Sequence, residues 1–258
     1  TVDDAYMLLQ AQAGTDPHDP FSTAPTTDMD SPLEQADLGS IRAMITPDLG
    51  SAAMSHAYSS IFADRTSHFR QYFAAAIDAS PDFTDGDNCF EVLRGVNFVA
   101  AHGGRVRDHR DSLSPNVVDN VDRGLAYSLA DVAEAHLQQS RIARAWLDLF
   151  EDIDVVICPA ASSTPFPHDQ WSVSEIDGEA METYMRWLGI TYLPTMALAC
   201  GIALPCGLDQ AGMPFGIQVL SAPGNDRLVA EVAKALESVL QCHDATRRPL
   251  PDLDSLTG

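Results

Sequence analysis

Residues 152–169 read DIDVVICPAASSTPFPHD, and the first part of that stretch decides the fold class. Ile153 to Cys158 is, but for Asp154, a continuous apolar and β-branched run, stopped by Pro159. A surface strand alternates apolar with polar residues. A run without alternation suits a strand buried on both faces of an α/β sheet. The second part, rich in Ser, Thr and Pro, is then a loop leaving the carboxyl end of that strand. In open α/β sheets this is where ligands gather.

Downstream, residues 195–223 supply two strand segments joined by a turn at Asp209–Gly212. Asn225 or Asp226 then caps a helix with Val229, Val232, Ala233, Leu236 and Leu240 on one face. Upstream, Ser128 and Asp131 form a capping box. It opens a helix through Val132, His136, Ala143, Trp146, Leu147 and Phe150 to Glu151. A further helix is expected from Asn88 to His102, and one long or two shorter helices from Ala52 to Ile77. Ile41 to Thr46 is a short strand candidate, residues 15–40 form a Pro/Asp/Ser/Thr-rich surface connector, and the length suits one large domain or two small ones. Thr1 and Asp4 make another capping box, with Val2, Ala5, Tyr6, Leu9 and Ala13 at helical spacing and Gly14 where a C-terminal cap would fall. Thr1 is not an initiator Met, and the expectation is that processing or truncation has removed what preceded it. Helices mixed with interior strands give a layered α/β domain.

The bulk properties exclude several function classes. Fifteen Lys and Arg against 37 Asp and Glu give a net charge of −22. That field repels nucleic-acid phosphates and acidic membranes. The apolar run Met196–Leu208, broken by Gly201 and Pro205, is too short to span a bilayer. Five cysteines without a CxxC pair point to reduced thiols and a cytoplasmic setting. Neither Cys242–His243 nor His102 with His109 has the further ligands a metal site needs. A nucleophilic hydrolase requires an activated Ser or Cys and a base. No GxSxG elbow is present; the best local candidate is Ser162–Ser163, with His168 and Asp169 downstream. Ser163 as nucleophile competes with the ordinary Ser/Thr/Pro composition of a loop. The one lysine, Lys234, flanks the apolar stripe of the last helix and reads as a solvated charge.

Three stretches carry a resemblance: residues 1–20, TVDDAYMLLQAQAGTDPHDP; residues 154–169, DVVICPAASSTPFPHD; and LPCGLDQAGMPFGIQVL from Leu204, followed by Asn225 and Asp226. In order and spacing they are similar to the carboxyl-terminal half of amidase signature enzymes, and YSLADVAEAHLQQSRIAR from Tyr127 resembles that family's helix before the central strand. The resemblance implies an α/β fold with a mixed β-sheet between helical layers, represented here by its C-terminal half only, residues 1–258 being the C-terminal part of a single domain that includes the 15–40 connector. It further implies that the family's Lys, its bridging Ser and its nucleophilic Ser lie upstream of Thr1, leaving no catalytic residue in this chain. The family's Ser-Ser-Lys chemistry uses no metal or organic cofactor. The partners implied are a small-molecule amide and the upstream half, with a homodimer left open. Candidate wall residues of the acyl pocket are Ser162, Ser163, Thr164, Trp171 and Trp187, each of which could equally be loop or core filler. Many relatives carry Asn-Leu-x-Gly-x-Pro-Ala where this chain has Thr195–Gly201. Relatives serving as the glutaminase component of tRNA-dependent amidotransferases carry an acidic residue near Trp187 or Leu188. Its lack favours a stand-alone amidase over that component. A self-contained serine hydrolase dependent on Ser163, and a non-catalytic binding domain, are the remaining alternatives.

Overall fold

Val155–Pro159, buried at every position, is the middle strand of a five-stranded sheet. The computed structural model describes residues 1–25 and 27–250; residue 26 of the connector and residues 251–258 lie outside it. In chain order the elements are α1 (Val2–Gln12), β1 (Arg42–Ile45), α2 (His56–Ser67), β2 (Ala75–Asp78), α3 (Gly86–His109), α4 (Pro115–Ala126), α5 (Leu129–Leu149) and β3 (Val155–Pro159). A small hairpin of β4 (Glu175–Ile176) and β5 (Glu179–Ala180) follows, then α6 (Gly189–Met196), β6 (Cys200–Leu208), β7 (Pro214–Ser221) and α7 (Asp226–Gln241).

The sheet order is β2-β1-β3-β7-β6. Its first three strands are parallel, with Arg42 opposite Ala75 and Ala43 opposite Val155. Its last three are antiparallel, with Val156 opposite Leu220 and Cys200 opposite Ser221. Parallel neighbours need long crossovers, and helices supply them on both faces. Val155 and Ile157 point to one layer, where they meet Tyr58 and Phe62 of α2 and Val232 and Leu236 of α7. Val156 and Cys158 point to the other, against Cys89 of α3, Ile142 and Trp146 of α5 and Leu193 of α6. Burial on both sides is why β3 shows no alternation. Asp154, at its entrance, is tolerated because Arg42 lies beside it. Its Oδ2 accepts from the Arg42 amide at 2.7 Å and Nε at 3.2 Å, and Oδ1 accepts from the guanidinium at 3.0 Å. Those bonds hold the Asp154 carboxyl below its ordinary range.

Both expected capping boxes form, at Thr1–Asp4 and Ser128–Asp131. Four readings need correction. Ala75–Asp78 is a strand, since pairing with β1 overrides the helical spacing that ran on to Ile77. The helix at Val2 ends at Gln12, with Ala13 extended as its cap. On α5 the buried side is Ala135, Ile142 and Trp146, whereas Leu147 is exposed. Lys234 is no free surface charge: its Nζ donates to the Leu33 carbonyl at 2.6 Å and pairs with Asp3 at 2.8 Å. It pins the connector and α1 to α7.

Two close approaches set the geometry. α3 and α4 cross at Gly95 and Gly124, where a Cβ on Gly124 would lie 2.3 Å from the Gly95 carbonyl oxygen. Gly207, at a φ of +83°, sits so near the carboxyl-terminal segment that a Cβ would come within 2.0 Å of the Ala245 carbonyl oxygen. All five cysteines are free thiols: Cys89, Cys158 and Cys206 are buried, Cys200 is half-buried and Cys242 is exposed. Among the described residues no helix is long and apolar enough to cross a membrane.

Candidate functional site

The candidate site is the loop leaving β3 and the elements that close on it. The Ala160 amide donates to the Gly216 carbonyl at 2.9 Å, so the chain stays on the sheet just past Pro159. Gln218 lies opposite Cys158 on β7. Its Nε2 donates to the Pro159 carbonyl at 3.1 Å and to the Ile190 carbonyl at 2.8 Å, binding the end of β3 to the first turn of α6. Burial pushes the Cys158 thiol up to about 12, so it is no nucleophile.

The loop then dips inward. Ser162 is wholly buried and its carbonyl accepts from the Ser55 amide at 2.9 Å. Ser55 is also the N-cap of α2, its hydroxyl accepting from the Tyr58 amide. The Ser162 hydroxyl is buried without a hydrogen-bond partner among the described residues. Ser163 is half-buried, and its hydroxyl donates at 3.4 Å to the carbonyl of Thr164. His168 and Asp169 are exposed and make no bond to it. Thr164 is exposed at the rim of an open recess of about 580 Å³. Ser60, Asp64 and Arg65 of α2 and Asp209 and Gln210 of the β6–β7 turn line its other sides.

Aromatic contact fixes the outer half of the loop. Phe166 meets Trp187 edge-on, the ring centroids 5.4 Å apart, and Trp187 Nε1 donates to the Tyr184 carbonyl at 3.0 Å. Trp187 is therefore part of the junction between the loop and α6. Trp171 is 73% exposed and has no ring contact with it. So Ser162, Ser163, Thr164 and Trp187 are brought to one region, whereas Trp171 stands out in solvent. The β4–β5 hairpin lies over α2: the His56 amide donates to Asp177 Oδ2 at 2.6 Å, and His56 Nδ1 is 3.2 Å from the same oxygen. Its turn, Asp177–Gly178, has positive φ at both residues. An Asp-Gly pair is the hairpin signal that a reading of this sequence could have used.

Behind α6 is a polar and aromatic cluster that sequence spacing does not reveal. Tyr192 stacks on Phe90 at 4.0 Å, and its hydroxyl donates to Asp87, which also pairs with Arg186 at 2.8 Å. Burial, reinforced by Asp87, raises the Tyr192 phenol above its usual range. Arg94 lies 4.4 Å over the Phe98 ring and donates to Asn120 at 3.1 Å and to the Tyr184 hydroxyl at 3.0 Å. Burial pushes the Glu91 carboxyl up, while the Thr183 hydroxyl donates to it at 3.3 Å. These contacts position the segment carrying Trp187 and the start of α6. The site so built centres on the open recess beside Thr164. Among the described residues it has no Ser or Cys hydrogen-bonded to a Lys, His or carboxylate base that could serve as an activated nucleophile.

A sequence profile described as Amidase matches residues 1–230. The acylamidase of Rhodococcus erythropolis is 23% identical over 245 residues, 93% of this chain and 50% of that protein. The fatty acid amide hydrolase of Medicago truncatula is 22% identical over 99% of this chain and 43% of its own length. A glutamyl-tRNA(Gln) amidotransferase component of Anaeromyxobacter sp. (strain K) is 26% identical, covering 93% and 53%. Among solved structures, a bacterial aryl acylamidase of the amidase signature family superposes with a TM-score of 0.81 at 19% identity, over 97% of this chain and 54% of that one. The chain thus spans about half the length of the relatives it matches across most of its own length.

Proposed function

This chain belongs to the amidase family, and from that premise we propose that it is the carboxyl-terminal half of an enzyme hydrolysing a carboxylic amide to an acid and ammonia or an amine. In this reading a Ser-Ser-Lys set lies in polypeptide outside these 258 residues. The nucleophilic Ser would add its oxygen to the amide carbonyl carbon, its proton passing through the bridging Ser to the Lys. Backbone N–H groups would stabilise the oxyanion, the nitrogen would leave carrying a proton, and water would release the acid from the acyl-enzyme. This half would contribute the β3 strand and one wall of the acyl pocket, with Ser162, Ser163, Thr164 and Trp187 nearest the substrate. The free thiols fit a reducing, cytoplasmic setting.

One observation carries the reading. Lys234, the chain's one lysine, is held by Asp3 and the Leu33 carbonyl on the α1–α7 side, and among the described residues the Ser163 hydroxyl bonds the Thr164 carbonyl and no base. The alternative, a component of an amidotransferase, rests on the relatives of that name and requires further polypeptides; the uncharged pair Trp187–Leu188 weighs against it. Ammonia release from a panel of aliphatic and aromatic amides, measured with this chain alone and with the upstream half added, tests the proposal. No turnover alone and turnover on addition is expected. Turnover by the chain alone, abolished by Ser163→Ala, would instead establish a self-contained hydrolase.

A further inference from the structure

β3 and β6 both run antiparallel to β7, so the carboxyl ends of these two strands lie on the same side of the sheet. The open recess beside Thr164 is on that side, between the loop after β3, the β6–β7 turn and α2. Strand ends of this kind are where α/β sheets collect ligands. Ala57, Ser60, Ile61 and Asp64 stand at helical spacing and give α2 one face on the recess. Ala57 and Ile61, with Ala211 of the turn, are its apolar part.

The unusual member of this lining is Asp209. It is only 8% exposed, and its Oδ1 accepts from the Ala211 amide at 2.9 Å and the Met213 amide at 2.8 Å, closing the turn. Its Oδ2 is buried with no hydrogen-bond partner among the described residues. No described cation pairs with this carboxylate either. Arg65, the guanidinium of the recess, is engaged elsewhere: Nη1 contacts Asp64, and Nη2 donates to the Leu208 carbonyl at 2.8 Å. Burial, and after it the Asp209 charge, raise the Tyr58 phenol above its usual range, so that charge is felt inside the fold. A buried carboxylate without a counter-charge is expensive. Asp64 and Asp209 against Arg65 leave one net negative charge on the recess, within a chain of net charge −22.

We infer that this recess is a subsite for an alkylammonium group, its N–H donating to Asp209 Oδ2 and its methylenes lying on Ala57, Ile61 and Ala211. On the reading that the chain is half of an amidase, the ammonium is carried by the amide substrate, on an alkyl arm away from the bond that breaks. Oδ2 is covered, so entry requires neighbouring side chains, the exposed Gln210 first, to move aside. A neutral amide would leave the Asp209 charge unmatched. A carboxylate would meet two acids, its one attraction being Arg65, whose Nε is also buried without a partner among the described residues.

Binding is tested first on this chain without an upstream half, so that the result does not depend on the amidase reading. Butylammonium, butyramide and butyrate are titrated at fixed ionic strength, and the backbone amide resonances of Thr164 and Ala211 are followed by NMR. Asp209→Asn keeps the oxygen that closes the turn and removes the charge; Glu134→Gln makes the same change on the exposed side of α5, over the other face of the sheet. Circular dichroism melting establishes that each variant is folded, and the comparison of probes on the wild type stands whether or not Asp209→Asn folds. Saturable shifts with butylammonium are expected, weakened at least about tenfold in Asp209→Asn and retained in Glu134→Gln. An equal response to butyramide, tighter binding of butyrate, no response to any probe, or wild-type affinity in a folded Asp209→Asn would each overturn the subsite. With the upstream half added, ammonia release is compared for an amide bearing a terminal ammonium and for its uncharged alkyl counterpart. Asp209→Asn should change the ratio of their KM values at least about tenfold against the charged amide. Butylammonium binding with no turnover of any amide would leave the subsite standing and sink the amidase reading. Turnover without butylammonium binding would do the reverse.

Discussion

Asp154 illustrates how one side chain can sit inside an otherwise apolar strand stretch. Its carboxylate accepts from the backbone and the side chain of Arg42, so the charge is matched where the strand begins. The folded-state pKa is depressed, chiefly by the Arg42 side-chain bonds. The stabilisation is therefore present above the unfolded value, about 4 for a free Asp, and is lost as pH falls through the folded one. Asp154→Asn should lower the melting temperature at neutral pH by roughly 2–4 °C, given the size of the chain. The gap to wild type should narrow steadily in acid below about pH 4. A melting difference that stayed constant across that range would show that the ionised carboxylate is not what Arg42 holds. Gln218 makes the same point without charge, one side chain satisfying carbonyls on β3 and at the start of α6.

At the scale of elements, what was legible in the sequence was what is local. The capping boxes at Thr1 and Ser128 each need residues only three apart, and both form. β3 announces itself by its unbroken apolar run, and the β6–β7 hairpin by two uncharged segments about the turn at Asp209–Gly212. What was not legible depends on contacts between distant residues. β2 continues a helical spacing and becomes a strand only because β1 lies beside it. Lys234 is bound by groups more than two hundred residues away in sequence. The site divides the same way: the loop after β3 was visible as a Ser/Thr/Pro segment, whereas the burial of Ser162 and the Phe166–Trp187 contact were not. α4 carries a local signal too, Ser114 ahead of Pro115 at its first turn, while its place is set by the Gly95–Gly124 crossing. Gly124→Ala, whose methyl would meet backbone rather than a movable side chain, should push α4 off α3 and cost about 1–3 kcal/mol. It should also break the Arg94–Asn120 bond. Denaturant unfolding with an unchanged midpoint would mean that the helices part without cost.

At the scale of the whole molecule, the described residues form a main sheet with helices on both faces, its outer strands being the short β2 and the nine-residue β6. Its acidity and the uncharged stretch between Arg186 and Asp209 pull in opposite directions. Repulsion between copies is strongest at low ionic strength and is screened within about 10 Å at 0.1 M salt. The layers also determine which atoms a reagent can find. Cys89, Cys158 and Cys206 lie under helices, and burial raises their thiols and that of Cys200 well above the ordinary range, leaving Cys242 at the end of α7 as the exposed one. Alkylation therefore becomes a counter of folded molecules. Brief exposure to iodoacetamide near neutral pH should add a single carbamidomethyl mass at Cys242 to the native chain, and five to the chain in denaturant. A native spectrum already carrying several adducts would mean that the layers over the sheet open within the time of the pulse.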